Sequence, residues 1–130
     1  MPRLPRPPRL LSDPRVAVLR SAYDAFNRRD VEAVLALLAP DVEWPNVLEQ
    51  TILRGRDAVR EYWLRQFREI DPRVEPLRFV AEGERLVAEV RQIVRDPGGR
   101  VLSERTVAHV YTFNGPLIAT MRVGPAPAAD

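Results

Sequence analysis

The stretch Ala108-His109-Val110-Tyr111-Thr112-Phe113-Asn114-Gly115-Pro116-Leu117-Ile118 reads as a strand, a tight turn and a second strand. Side chains alternate between the two faces of a strand. Val107, His109, Tyr111 and Phe113 therefore share one face, and Ala108, Val110 and Thr112 share the other. Both faces are apolar enough to be covered. His109 is the only histidine in the chain. A lone titratable ring among Val, Tyr and Phe has two readings: a core histidine bonded to a backbone group or to Tyr111, or the polar group of an apolar pocket.

Upstream of this hairpin the apolar period changes. From about residue 74 it is two, predicting strands near 74–82, 85–95, 100–113 and 117–123. Glu82-Gly83-Glu84, Asp96-Pro97-Gly98-Gly99 and Asn114-Gly115-Pro116 supply the turns. Before residue 70 the period is helical. Ser12-Asp13-Pro14 provides a cap and a first-turn proline. Val16, Leu19, Tyr23 and Phe26 follow on one stripe, so helix 1 runs to about Arg28. Asp30 caps a short second helix striped by Val31, Val34, Leu35 and Leu38 and ended by Pro40. Asp41 to Trp44 reads as a short strand closed by Pro45, and 46–54 as a loop or irregular edge. Gly55 and Asp57 introduce helix 3, with Val59, Tyr62, Trp63, Phe67 and Ile70 inward and Asp71-Pro72 as its stop. The order helix, helix, strand, helix, antiparallel meander is α+β, with three helices on one face of a curved sheet. The sheet's outer face then needs its own cover, which predicts a homodimer through that face.

The totals fit one domain over 12–123, between an Arg/Pro-rich tail at 1–11, read as disordered, and a loose end at 124–130. The absence of cysteine excludes disulfides, thiolate metal sites and cysteine nucleophiles. With one histidine and no visible carboxylate cluster, no metal site is expected. Every basic residue is arginine. Three of the 20 arginines lie in the first eleven residues, which hold no acid; the other 17 face 18 acidic residues, a formal charge of −1. Interleaved charges of both signs give no nucleic-acid stripe. No apolar run approaches a membrane span, and the tail lacks a signal-peptide pattern, so the expectation is a cytoplasmic protein without membrane or nucleic-acid partners. Six glycines form no phosphate loop, three serines lack a nucleophile elbow, and no lysine is present for a Schiff base.

Four segments together resemble nuclear transport factor 2-like proteins of the SnoaL-like branch. Tyr23-Asp24-Ala25-Phe26-Asn27-Arg28-Arg29-Asp30-Val31-Glu32 resembles the junction of their first two helices. Leu38-Ala39-Pro40-Asp41-Val42-Glu43-Trp44 resembles their entry into the first strand. Arg54-Gly55-Arg56-Asp57-Ala58-Val59 resembles the start of their third helix, and His109-Val110-Tyr111-Thr112-Phe113 with Gly115 and Ile118 their last hairpin. The resemblance spans about 14–123. It implies a cone-shaped half-barrel with an internal pocket, usually in a homodimer, and a cofactor-free chemistry where there is any. Fold alone does not give function. In ketosteroid isomerase, the resemblance places the proton-transfer aspartate at Trp44, the oxyanion-hole tyrosine near Ala22 with Tyr23 next to it, and the second oxyanion-hole group at His109. The Asp-Arg-Asp set of limonene-epoxide hydrolase falls on Gln92, Val90 and Val123, its water-positioning tyrosine on Trp44, and its asparagine is kept as Asn46. In the polyketide cyclase that names the branch, Leu48-Glu49 sits at a similar distance before Gly55, His109 falls on a pocket histidine, and the acid/base aspartate falls on Val123. The pocket is kept and the carboxylates are gone.

The candidate residues follow from both readings. His109 is the candidate acid/base or oxyanion group, since imidazole titrates near neutrality. Tyr23, Phe26, Trp44, Trp63, Phe67 and Tyr111 either line a cavity or fill the core. Asn46 and Glu49 lie where the pocket mouth should close, while Glu43 points away from Trp44. Arg91 either binds a ligand carboxylate or pairs with Glu89 or Glu104. Three functions compete. One is isomerisation or cyclisation of a carbonyl compound. The second is noncatalytic binding of a small, largely apolar molecule. The third is a dimer whose cone is plugged by its own aromatics.

Overall fold

The computed structural model describes residues 13–47 and 49–126. The sequence reading of the 1–11 tail falls outside them. Three helices pack on one face of a six-stranded sheet. Helix α1 (Pro14–Asn27) starts as its cap chemistry requires: the Asp13 carboxylate accepts from the Arg15 backbone N–H at 2.9 Å. At its far end the Asn27 amide clamps β3, donating to the Val74 carbonyl at 2.7 Å and accepting from the Val74 N–H at 3.0 Å. Arg29 then takes a left-handed conformation (φ 64°). Its guanidinium pairs with Asp71 and lies 4.4 Å from the centre of the Phe67 ring. Helix α2 (Val31–Leu35) is capped by Asp30. Helix α3 (Arg56–Glu69) begins at Gly55 and buries Val59, Tyr62 and Trp63.

The strands are β1 (Leu38–Asn46), β2 (Thr51–Arg54), β3 (Asp71–Glu82), β4 (Arg85–Arg95), β5 (Val101–Asn114) and β6 (Leu117–Pro125). Their order across the sheet is β2-β1-β6-β5-β4-β3. All neighbours are antiparallel except β1 and β6, which run parallel. Boundaries differ from the sequence reading at several points, among them β3, which begins at Asp71 and not near 74, and β1, which extends beyond Asp41–Trp44 at both ends. Pro40 does not end α2 but lies within β1, in the stretch where β1–β6 pairing shifts between Leu38 and Glu43. Residues 51–54, expected to be loop or irregular edge, form edge strand β2 against Glu43–Asn46. Gly124 and Pro125, assigned to the loose end, still pair with Ala108 and Val107.

The core lies between the helices and the concave face of the sheet. Leu19, Leu35 and Val59 from the helices meet Leu38, Val42, Leu86, Val90 and Ile118 from the strands, all at 2 % exposure or less. The convex face is more charged than β5 alone implied. Arg91 pairs with Glu104 at 2.7 Å and Glu75 at 3.4 Å, Arg78 with Glu89, and Arg122 with Glu43. A cross-strand row of Val80, Val87 and Val110 runs among these pairs. Val87 and Ile93 are buried there.

Candidate functional site

The concave face and the helices do not close completely. They leave a cavity of about 330 Å³, within the range of small-molecule sites. Ala22, Tyr23 and Phe26 of α1, Tyr62, Trp63 and Gln66 of α3, Trp44 and Pro45 of β1, and inward residues of β3 to β6 form its wall. The aromatics thus line the cone and leave it open. Trp44 and Trp63 meet edge to face with ring centres 5.3 Å apart, and Phe26 packs edge-on against Trp63 at 5.6 Å. Among the described residues no aspartate or glutamate is in this wall. Trp44, Gln92 and Val123, where the resemblance places carboxylates in catalytic relatives, all line the cavity without an ionisable group.

The wall carries one buried polar cluster. The Tyr23 Oη lies 2.8 Å from His109 Nδ1 and 2.6 Å from the Tyr111 Oη. Tyr23 comes from α1, whereas His109 and Tyr111 are two positions apart on β5 and so share the concave face. All three side chains line the cavity and are buried. Burial disfavours charge on each of them. It pushes the His109 pKa down to about 4, so the ring is neutral at pH 7, and it raises both tyrosine hydroxyls above their ordinary value.

The Tyr111 Oη also lies 3.4 Å from Nδ1, so counting protons assigns the imidazole tautomer and leaves the direction between the two hydroxyls open. In one arrangement Tyr111 donates to Tyr23, Tyr23 donates to His109 Nδ1, and the imidazole proton sits on Nε2. That leaves a single unmet group. In the reverse arrangement Nδ1–H donates to Tyr23 and Tyr23 donates to Tyr111. Two groups are then unmet: the Tyr111 proton and a bare Nε2. The Nε2–H tautomer is favoured. His109 Nε2 is the buried side-chain polar atom left without a partner among the described residues. An unmet buried donor costs about 1–3 kcal/mol. A neutral N–H at this point suits an oxygen acceptor and makes a poor base.

Other residues singled out in the sequence lie elsewhere. Arg91 does not reach the cavity: strand alternation turns it to the convex face, where Glu104 and Glu75 hold it. Phe67 packs half-buried against Phe26, outside the wall. Asn46 is buried at the end of β1 and bonds Glu49, accepting its N–H at 3.1 Å and donating to its carboxylate at 3.4 Å. That pair braces the rim, while the flanking Pro45 and Val47 enter the wall. Glu43 points outward between Arg54 and Arg122. Met121, Gln66 and Ser103 line the cavity without having been singled out. Alternation along β5 marks Ser103 as inward, and the helical period marks Gln66, which follows Val59, Tyr62 and Trp63 by seven, four and three positions on α3. Among the described residues no group of three or more His, Cys, Asp or Glu side chains could hold a metal ion, and no helix is long and apolar enough to cross a membrane.

Comparison with known proteins fits this geometry. The SnoaL-like domain model matches residues 19–121. A protein of unknown function from Burkholderia pseudomallei with an NTF2-like structure is 30% identical, covering 85% of this chain and 89% of its own with a TM-score of 0.75. TerC, co-crystallised with polyporic acid, is 22% identical over 85% of this chain and 90% of its own, TM-score 0.75. A Mycobacterium tuberculosis protein in complex with estradiol-17β-hemisuccinate is 20% identical over 85% and 91%, TM-score 0.73. No curated protein matches the chain. The matched span, the element order and the open cone agree, and the chain belongs to the SnoaL-like family, on the NTF2-like fold.

Proposed function

We propose that this protein binds a small, largely apolar molecule inside the cone and holds one of its oxygen atoms, of the carbonyl type, on His109 Nε2–H. The observation that carries this reading is the unpartnered, buried Nε2 of His109, a residue that lines an open, aromatic-lined cavity. Structures of the same fold solved with polyporic acid and with a steroid ester support it. Tyr23 and Tyr111 hold the imidazole tautomer and so act as positioning residues. Trp44, Trp63 and Phe26 supply the apolar contact surface.

Proton-transfer chemistry is the rival reading. It needs a base, and the wall offers none: it has no carboxylate, and a histidine pushed down to about 4 is a weak acceptor of protons at pH 7. The binding reading is therefore preferred, with His109 as anchor. For assembly we keep a homodimer through the convex sheet face, supported by the Val80–Val87–Val110 row.

Calorimetric titration with 2-acetylnaphthalene and 2-ethylnaphthalene tests the anchor. The two ligands differ by one oxygen in nearly the same shape. Wild type should bind the ketone three- to tenfold more tightly, as one buried hydrogen bond allows, and His109→Phe should erase the preference. No binding, or equal binding of the two by wild type, would sink the proposal. Exchange of the ketone's methyl protons in heavy water separates binder from enzyme. Protein-accelerated exchange lost in His109→Phe would favour the rival reading.

A further inference from the structure

The concave face of β5 carries Ser103, Arg105, Val107, His109 and Tyr111 in succession. Arg105 sits opposite Gln92 in the β4–β5 ladder, and Ser103 opposite Val94. Gln92, Val94 and Ser103 line the cavity, and Arg105 is exposed beside them, between Ser103 and the buried Val107. The arginines of the central convex face are neutralised: Arg78 by Glu89, Arg91 by Glu104 and Glu75, Arg122 by Glu43. Arg105, on the concave side, has no carboxylate partner among the described residues. The cavity wall beside it holds no acidic group to repel an anion. A guanidinium presents a fork of donors that matches a carboxylate, and a low-dielectric wall strengthens that attraction.

We propose that the mouth of the cavity is a carboxylate subsite built on Arg105, with the Gln92 amide and Ser103 hydroxyl as supporting donors. The ligand is then an amphipathic rod, with a neutral oxygen at the His109 end, an apolar body, and a carboxylate at the mouth. Arg105 and His109 are four residues apart on one strand, about 13 Å at the usual rise, which sets the separation of the two polar ends. A single guanidinium with neutral neighbours suits a monoanion better than a phosphate dianion. This inference rests on the reading of the cavity as a binding site.

The test uses three rigid probes: 6-acetyl-2-naphthoic acid, its methyl ester, and 2-acetylnaphthalene. They are titrated calorimetrically at pH 7.5 and low salt into wild type, Arg105→Gln and Arg105→Glu. Wild type should bind the acid about tenfold more tightly than the ester, as a charge-assisted hydrogen bond allows. The preference should fall below twofold in Arg105→Gln and invert in Arg105→Glu, with affinity for the ester unchanged. Added salt should weaken the acid alone. Equal binding of acid and ester by wild type overturns the subsite and leaves the cavity reading standing. A preference that survives in Arg105→Gln also overturns it. Failure of all three probes to bind overturns both.

Discussion

His109 and Tyr23 are 86 positions apart in the chain yet share a 2.8 Å hydrogen bond. That contact defines what the residue scale can and cannot yield from sequence. Alternation along β5 is local, so the inward placement of His109 and Tyr111 was readable. The helix period put Tyr23 on the buried stripe of α1. That its hydroxyl meets the imidazole depends on how α1 crosses the sheet, which no local pattern encodes. Arg91 is the opposite case. Its alternation with Val90 and Gln92 contained the answer, but both faces of β4 are partly apolar, so the face was not decided until Glu104 and Glu75 were seen beside it.

The cluster makes acid sensitivity a residue-level property. His109 titrates at about 4 in the folded protein, below its ordinary 6.5. The unfolded chain therefore binds more protons between those values. The associated stability is complete above pH 6.5 and is lost as pH falls through about 4. Its size is of order 3 kcal/mol. The carboxyls of Asp13, Glu32 and Glu43, depressed by Arg15, Arg60 and Arg122, keep their contribution above the ordinary carboxyl range and lose it as pH falls below that range. Urea unfolding at pH 7.5, 6.0 and 5.0 should show a steady fall in wild type and a nearly flat profile in His109→Gln. Tyr23→Phe removes the central hydroxyl and leaves His109 Nδ1 and the Tyr111 hydroxyl only their long 3.4 Å contact with each other. It should cost about 1–3 kcal/mol at pH 7.5.

Elements followed their patterns where the patterns were long. The 14-residue α1 and α3 and the antiparallel meander have clear periods. Strand β2 does not: Thr51–Arg54 has four residues, mostly exposed, and exists as a strand because β1 offers it a ladder. Pro40 and Pro45 likewise argued for a short β1, but β1 and β6 pair at only two positions, so few ladder bonds demand an N–H from β1 there. Long edge strand β3 carries Pro72 and Pro76, which remove donors from an otherwise open edge. Gly55 marks the most constrained junction. It starts α3 with φ 88° and ψ 158°, a region that residues with a Cβ scarcely enter, while its N–H donates to the Val42 carbonyl at 2.8 Å. Gly55→Ala should lower unfolding free energy by about 1–3 kcal/mol through backbone strain, with added bulk a minor matter because the nearest atom to a new Cβ is 3.7 Å away.

At the scale of the molecule, an open interior is compatible with a stable core because part of that core is sealed away from the cavity, although Ile118, Met121 and Tyr111 serve both. Leu19, Leu35, Val42 and Val59 are sealed, while the cavity opens beyond Ala22, Tyr23 and Trp63. Filling it should then affect binding more than folding. Ala22→Leu, which projects into the open space, should reduce affinity for 2-acetylnaphthalene at least tenfold and change stability by less than about 1.5 kcal/mol. Sedimentation equilibrium at micromolar concentration should give a dimer mass, and replacing the exposed Val80 with Glu should shift it to monomer. A monomer in wild type removes the proposed assembly.

The parallel pairing of β1 with β6 has a temporal meaning. The β1–β2 hairpin, which brings Trp44 to the wall, joins the rest of the sheet through the strand that comes last of the six in the chain. On a ribosome, β3 to β5 can form their meander as they emerge, whereas the earlier hairpin, packed on α3, must wait with the other edge of β1 unpaired until residues 117–125 appear. The cavity is therefore among the last features to exist during synthesis, and a chain interrupted before Leu117 would have most of its walls and no enclosure.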